Sequence, residues 1–460
     1  MKRYFWLLIC LFLGACTTGE STATPVAQAI TATPILLATV TATAEPVIAE
    51  INATMAVTPT HTPEPTLTPT PIPPPTGRIY FLWDPQPLPI SGFGNSVQSL
   101  LLATPDEVST TWNIETVLEG LVGWPAAVLS PDKTQIALSP IEDANQDGFA
   151  SQEGYNRGFD APNLYLFDLI NAELTAVTTN FPNIRPWEIY WLPEGQTLLL
   201  GQNHTISLVS PVDQIKQIGP AFSTRIEWSQ LSPNARLIIV NFVSGELLGL
   251  DIVTEEELFT LEGIGGRGLK GIWSPDSKWI ILHRAPGSEF FFVDGKTFAL
   301  SSMTIEGSMG LMAWSPINST LVIHEFTDNY SRLLLVNPKD LTVEPLVEMS
   351  TDTTLGYLGW SPDGAHVLYL LKQGLTGSLV TVDMNNGEHQ TIWHDEAIGR
   401  FNFLGWSPDN EWMILFAGQG SFYGRGDHAG VYMLHRRGNT LHQLVETSEF
   451  SDPYGFFWLP

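Results

Sequence analysis

Along residues 77–460 the apolar positions fall in short runs of strand length, separated by a punctuation that returns at nearly fixed intervals. Its clearest copies are Trp273-Ser274-Pro275-Asp276, Trp360-Ser361-Pro362-Asp363-Gly364 and Trp406-Ser407-Pro408-Asp409. An apolar segment such as 355–360 leads into a copy, and a second such as 367–371 leaves it; both have strand length and strand composition. Pro presets φ at the second position of a type I turn, Asp is accommodated at the third, and Gly or a small polar residue finishes it. Each copy therefore predicts a hairpin.

Looser copies fit the same frame: Leu129-Ser130-Pro131-Asp132, Trp191-Leu192-Pro193-Glu194-Gly195, Leu231-Ser232-Pro233-Asn234, Trp314-Ser315-Pro316 and Trp458-Leu459-Pro460. The eight prolines, at 131, 193, 233, 275, 316, 362, 408 and 460, lie mostly 40 to 52 residues apart. One repeat holds four strand candidates, for example 269–273, 279–283, 289–293 and 300–305. A period of this size with four strands per repeat predicts an all-β protein, a β-propeller of four-stranded blades. Six of the eight copies place Trp two residues before the proline. Recurring on the scaffold itself, these indoles are expected to pack between blades and not to hold a ligand.

The ends of the domain complete one another. Residues 78–83 suit the second strand of a blade that lacks its own leading turn, with 96–103 and 110–118 as third and fourth, while 454–460 is a first strand with nothing after it. N- and C-terminal strands are thus expected to pair and close the ring, leaving little exposed edge. The spacing predicts eight blades of about 48 residues each. Seven is the alternative, if 231–233 marks an irregular strand, because Trp228 there stands three residues early. On these turns, residues 77–460 resemble the TolB-type, WD-like propeller repeats of bacterial envelope proteins. The resemblance implies the fold but leaves function open, since such blades serve scaffolds, binding modules and the non-catalytic halves of peptidases.

Ahead of the domain the pattern changes twice. Lys2-Arg3, an apolar run over 4–13 and Gly14-Ala15-Cys16 read as a signal peptide over 1–15, because the run is too short to span a bilayer. Leu13-Gly14-Ala15-Cys16 resembles the lipobox of bacterial lipoproteins, which implies cleavage before Cys16, a diacylglyceryl group on its sulfur and acylation of the new amino terminus. Two or more chains are what stable anchoring requires. Ordinary secretory cleavage, with Cys16 a bystander, is the alternative. Residues 16–76 then comprise the lipidated cysteine and a Thr-, Pro- and Ala-rich stalk that cannot pack a core and favours extended polyproline II. The expected location is the cell membrane, lipid-anchored and facing the extracytoplasmic side, with no other membrane contact.

Charge and cysteine content narrow the function. The chain carries a net charge of −27, about −25 of it on the domain, the wrong sign for sequence-independent attraction to nucleic acid or anionic lipid. Its two cysteines, Cys10 and Cys16, both precede the domain, which excludes a disulfide framework, a CxxC zinc site or a thiol nucleophile there. No Gly-x-Ser-x-Gly elbow occurs, so a peptidase reading finds no nucleophile.

One stretch has ligand-like spacing. Asp143, Asn145 and Asp147, a turn glycine at 148, the Phe149 carbonyl and Ser151 match the first nine positions of a calcium loop, while Glu153 stands one residue short of the usual bidentate acid. A structural Ca2+ is the ion this loop would take; a solvated acidic loop is the alternative. His283 and His324 share a position eight residues after their prolines, and histidines satisfied by backbone or water are the default there. Arg425-Gly426-Asp427 reads as an exposed loop. The function expected is a protein-interaction or ligand-binding module, monomeric, whose partner is an envelope protein or glycan and whose surface is chiefly the connections 141–163 and 418–430. The alternative is a hydrolase acting on a sugar or small metabolite in the propeller funnel. If calcium is bound, chelation lowers the melting temperature of the domain; no shift, together with no ion by elemental analysis, would remove the ion.

Overall fold

The Ser-Pro turns fold as their chemistry predicts, and the side chains show why. In the computed structural model, Ser Oγ donates to the carboxylate two residues on, at 2.6 Å for Ser130 and Asp132, 2.7 Å for Ser274 and Asp276 and 2.6 Å for Ser361 and Asp363. The same Oγ accepts the amide five residues on, at 2.9 Å for Gln135, Leu237, Trp279, His366 and Trp412. The residue after the Asp or Asn enters the left-handed region, with φ of 61° at Lys133, 55° at Ala235, 59° at Ser277, 67° at Gly364 and 60° at Asn410. The hairpin is thus a type I turn closed by a left-handed residue, whose twist suits the flanking strands.

A second recurring turn was not legible in the sequence. Asp168, Asp251, Asp294 and Asp383 each end a third strand and accept the amide two residues on. Four residues after each, the chain again turns left-handed, at Ala172, Glu255, Phe298 and Gly387. Asx turns of this kind let a short side chain stand in for a backbone partner.

The structure describes residues 72–460 apart from 84–96, 107–110, 123–125, 143–160, 163, 178–183, 194, 196, 202–203, 211–213, 220, 285–286, 375, 397–399, 419–429, 439 and 447–453. All belong to one compact unit, Pro71–Pro460, and every regular element among them is a strand. The strands form eight four-stranded antiparallel sheets and one two-stranded ribbon, Ile141–Glu142 with Ala161–Pro162. Blade 1 runs Tyr454–Leu459, Arg78–Trp83, Val97–Pro105, Trp112–Val122 from first strand to fourth, so the chain's two ends share a sheet as expected. Blades 2 to 8 follow in order over 126–176, 184–218, 226–262, 269–304, 308–349, 354–395 and 400–446.

First strands of neighbouring blades touch from blade 1 to 2, 2 to 3, 3 to 4, 4 to 5, 6 to 7, 7 to 8 and 8 back to 1. The core lies between blades: Ile79 and Phe81 of blade 1 pack with Trp412, Ile414 and Met433 of blade 8, and Leu237 and Ile239 of blade 4 pack with Leu269, Trp273 and Ile280 of blade 5. Blade 4 is a full sheet beginning at Ile226–Leu231, which settles the count at eight.

The recurring tryptophans do more than pack. Each first strand has one hydrogen-bonded neighbour, so its other edge carries unpaired backbone groups. The indole N–H of the next blade reaches back to that strand: Trp191 donates to the Val128 carbonyl at 2.8 Å, Trp273 to Gln230 at 3.3 Å, Trp314 to Ile272 at 3.1 Å and Trp360 to Ala313 at 3.1 Å. Every acceptor sits three residues before the proline of its own repeat. Trp228, out of register by three, donates forward instead, to Leu269 of blade 5.

Trp314→Phe keeps an aromatic side chain but removes part of its bulk and the donor to a partly buried carbonyl. It is expected to destabilise the domain by roughly 1–3 kcal/mol, read from denaturant unfolding. An unchanged unfolding midpoint would show that the indole bonds are incidental.

Candidate functional site

Antiparallel alternation gives the ring two different faces. The Ser-Pro turns between first and second strands and the Asx turns between third and fourth strands lie on one, the turn face. Connections from second to third strands, and from each blade to the next, lie on the other, the loop face. In blades 3 to 7 the second-to-third-strand connection is two to four residues long. In blades 8, 1 and 2 it is 11, 13 and 25 residues, over 419–429, 84–96 and 140–164. Ring closure makes those three blades neighbours, so three long connections leave adjacent positions of one face.

Two of these are the connections singled out in the sequence; the third, 84–96, becomes equivalent to them only when Arg78–Trp83 is seen paired in blade 1. The calcium-loop residues Asp143, Asn145, Asp147, Phe149, Ser151 and Glu153 lie outside the described residues, as do Cys16, residues 1–71 and Arg425-Gly426-Asp427. What the structure does show is the base of the 143–160 segment, the paired ribbon Ile141–Glu142 and Ala161–Pro162.

The second strands hold polar groups near the loop face, most of them buried. Asn241 is fully buried and makes two bonds with Gly266, its Nδ2 donating at 3.0 Å and its Oδ1 accepting at 2.7 Å. Arg284 donates to the carbonyls of Arg267 at 2.6 Å and Ile264 at 3.0 Å. Glu325, also fully buried, accepts the Gly307 amide at 2.8 Å and Arg332 Nε at 2.5 Å. These groups pin the links from blade 4 to 5 and from blade 5 to 6. His324 Nε2 bonds Ser331 Oγ at 2.9 Å, whereas His283 Nδ1 is buried with no hydrogen-bond partner among the described residues. Among the described residues no three His, Cys, Asp or Glu side chains group as metal ligands.

The turn face carries an open cleft of about 990 Å³ across blades 4, 5 and 6, at the upper end of the size of ligand cavities. Its apolar walls come from Leu237, Leu258, Trp279 and Phe298. Arg236, Lys278, Lys296 and Lys339 also line it, four of only 21 Lys and Arg in the whole chain. Three carboxylates share the lining, and turn bonding occupies them. Asp251 takes the amides of Val253 and Thr254 and Arg236 Nε at 3.0 Å. Asp276 takes Ser274, Ser319 at 2.6 Å and Lys278 Nζ at 2.9 Å. Asp294 takes the amides of Lys296 and Thr297. Partial burial opposes ionisation of all three, but these bonds outweigh it and hold each below the usual carboxylate range.

No protein-family model and no curated protein matches the sequence. Solved structures do match in shape, and they define the class as β-propeller. A eukaryotic initiation factor structure aligns at a TM-score of 0.55 and 12% identity over 84% of this chain and 98% of that one. The dihydro-heme d1 dehydrogenase NirN in complex with DHE aligns at 0.52 and 12% over 86% and 77%. A dipeptidyl aminopeptidase IV-like protein of Bacteroides ovatus aligns at 0.51 and 10% over 76% and 58%. At such identities the likeness shows the fold alone. The chain is an eight-bladed β-propeller.

Burial pushes His283 down to about 4 from an ordinary 6.5, with Lys270 adding to the shift. The unfolded chain therefore binds that proton at a pH where the folded one does not. The contribution of neutral His283 to stability is complete above pH 6.5 and declines as pH falls towards about 4. His324 and His435 are lowered by burial in the same sense. His283→Asn is expected to flatten the fall in unfolding free energy over that window; an identical slope in both proteins would count against a buried neutral imidazole.

Proposed function

We propose that this chain is a lipid-anchored propeller on the extracytoplasmic side of the cell membrane, serving as a protein-interaction or ligand-binding module. In this reading residues 1–15 are the signal peptide, 16–76 the lipidated cysteine and stalk, and 77–460 a TolB-like propeller. One observation carries the binding role: the three long connections leave neighbouring blades on one face, while the other five blades turn in two to four residues. A rigid ring that lengthens only adjacent loops of one face concentrates variable chain where a partner can touch all three at once. The anchor rests on the fit of Lys2-Arg3, the apolar run and Leu13-Gly14-Ala15-Cys16 to a lipoprotein signal. The alternative hydrolase in the funnel has no observation of its own among the described residues.

Both halves are testable on the full chain in its native cell. Palmitate should label the parent and not Cys16→Ser; equal labelling would sink the anchor. Photoreactive residues placed at Ala150 and Arg425 should crosslink to a common product, whereas one at the exposed turn-face residue Asn386 should not. Separate products, none, or the same one from Asn386 would overturn the loop face as the binding surface.

A further inference from the structure

We propose that the turn-face cleft of blades 4–6 is a second binding site, and that its ligand is an acidic glycan, a short sugar chain bearing carboxylates. The cleft uses its hydrogen-bonding groups unevenly. Its acceptors are largely spent inside the turns: Asp251 and Asp276 hold backbone amides, hydroxyls and the cations Arg236 and Lys278. Asn234 Oδ1 takes Ser232 Oγ at 2.7 Å and the Arg236 amide, and Asn337 Oδ1 takes the Lys339 amide at 3.0 Å. What is left over is donors. Among the described residues Lys296 Nζ and Lys339 Nζ make no salt bridge, acting on Asp294 and Asp340 only through space, and the Nδ2 groups of Asn234 and Asn337 have no acceptor.

A cleft that presents free donors and few free acceptors selects a ligand rich in acceptors. Two ammonium groups select negative charge, and planar amides suit hydroxyl and carboxylate oxygens. The apolar walls, with the half-buried Trp279 indole among them, suit the C–H face of a sugar ring and offer nothing to a bare inorganic anion. An acidic peptide is less well served, because peptide binding draws on backbone partners. Here the turn amides of Thr254, Lys278, Lys296 and Thr297 are already held by aspartates. With four cations against three carboxylates the lining carries a net +1 in a chain of net charge −27, a local reversal of sign that favours an anion there over the rest of the surface.

The site lies on the face opposite the long connections and does not involve the anchor, so its failure would leave the reading of the loop face standing. The test is calorimetric titration of the full chain in detergent with trimannuronate, with neutral mannotriose, inorganic phosphate and hexa-aspartate as comparators. Trimannuronate is expected to bind, to weaken as salt is raised, and to exceed every comparator by at least about tenfold, one charged hydrogen bond's worth of affinity. Lys296→Gln with Lys339→Gln should cost about tenfold or more without moving the melting temperature, since both lysines are exposed and hold no ion pair. Lys133→Gln, in a turn of blade 2, should change nothing. Absence of trimannuronate binding, binding unaffected by the double substitution, or equal binding of phosphate, mannotriose or hexa-aspartate would each overturn the proposal.

Discussion

The constraint behind the whole ring is the inner edge of each blade. A four-stranded sheet set radially has one neighbour for its first strand and an open row of amides and carbonyls on the other side. Such an edge invites pairing with other chains unless something covers it. In this protein the cover is repeated with the blade itself: an indole N–H from the next blade bonds a carbonyl of the first strand, at the same register in four blades. The proline three residues beyond that carbonyl ends the strand and starts the turn. One tetrapeptide thus terminates a strand, sets a hairpin and ties the blade to its neighbour.

That economy divides the molecule into two unlike faces. On the turn face, aspartates and serines are consumed by the hairpins they form, which is why a strongly acidic chain leaves donors exposed in the cleft between blades 4 and 6. On the loop face, buried Asn241 and Glu325 and the exposed Arg284 hold the links between blades 4, 5 and 6 in place. The opposite side of the ring, around blades 8, 1 and 2, instead carries the long connections. Pinned links and long connections therefore occupy opposite sides of the ring on the same face.

The sequence reading recovered the repeat, the hairpins and the completion of blade 1 by Tyr454–Leu459, because each depends on contacts within a few residues or on an unmatched strand at either end. It left seven blades open at Leu231, since Trp228 breaks the pattern of Trp before Ser-Pro. The structure keeps that blade because the indole finds a carbonyl in the other direction. The third-to-fourth-strand turn escaped notice: its marker is a single Asp followed by varied residues, and the left-handed position accepts Ala172, Glu255 and Phe298 as well as Gly387. The candidate site was legible only in part. Asp251 and Asp276 look like ordinary surface charges until their turn partners are known, and Lys296 like any exposed lysine until the cleft around it is.

What the sequence determined alone was local. Ser, Pro and Asp within five residues dictate a hairpin whatever surrounds them, and hairpins of this kind recurring at a common period leave a closed ring of sheets as the arrangement that covers their edges. What only the tertiary structure decided was adjacency: that 84–96, 140–164 and 419–429 leave neighbouring blades, and that Arg236, Lys278, Lys296 and Lys339 face one cleft. The first three are separated by tens to hundreds of residues, and the cations come from three different blades. Closure of the ring brings the connections together and the packing of consecutive blades brings the cations together, and no spacing along the chain encodes which carboxylates the turns will already have consumed.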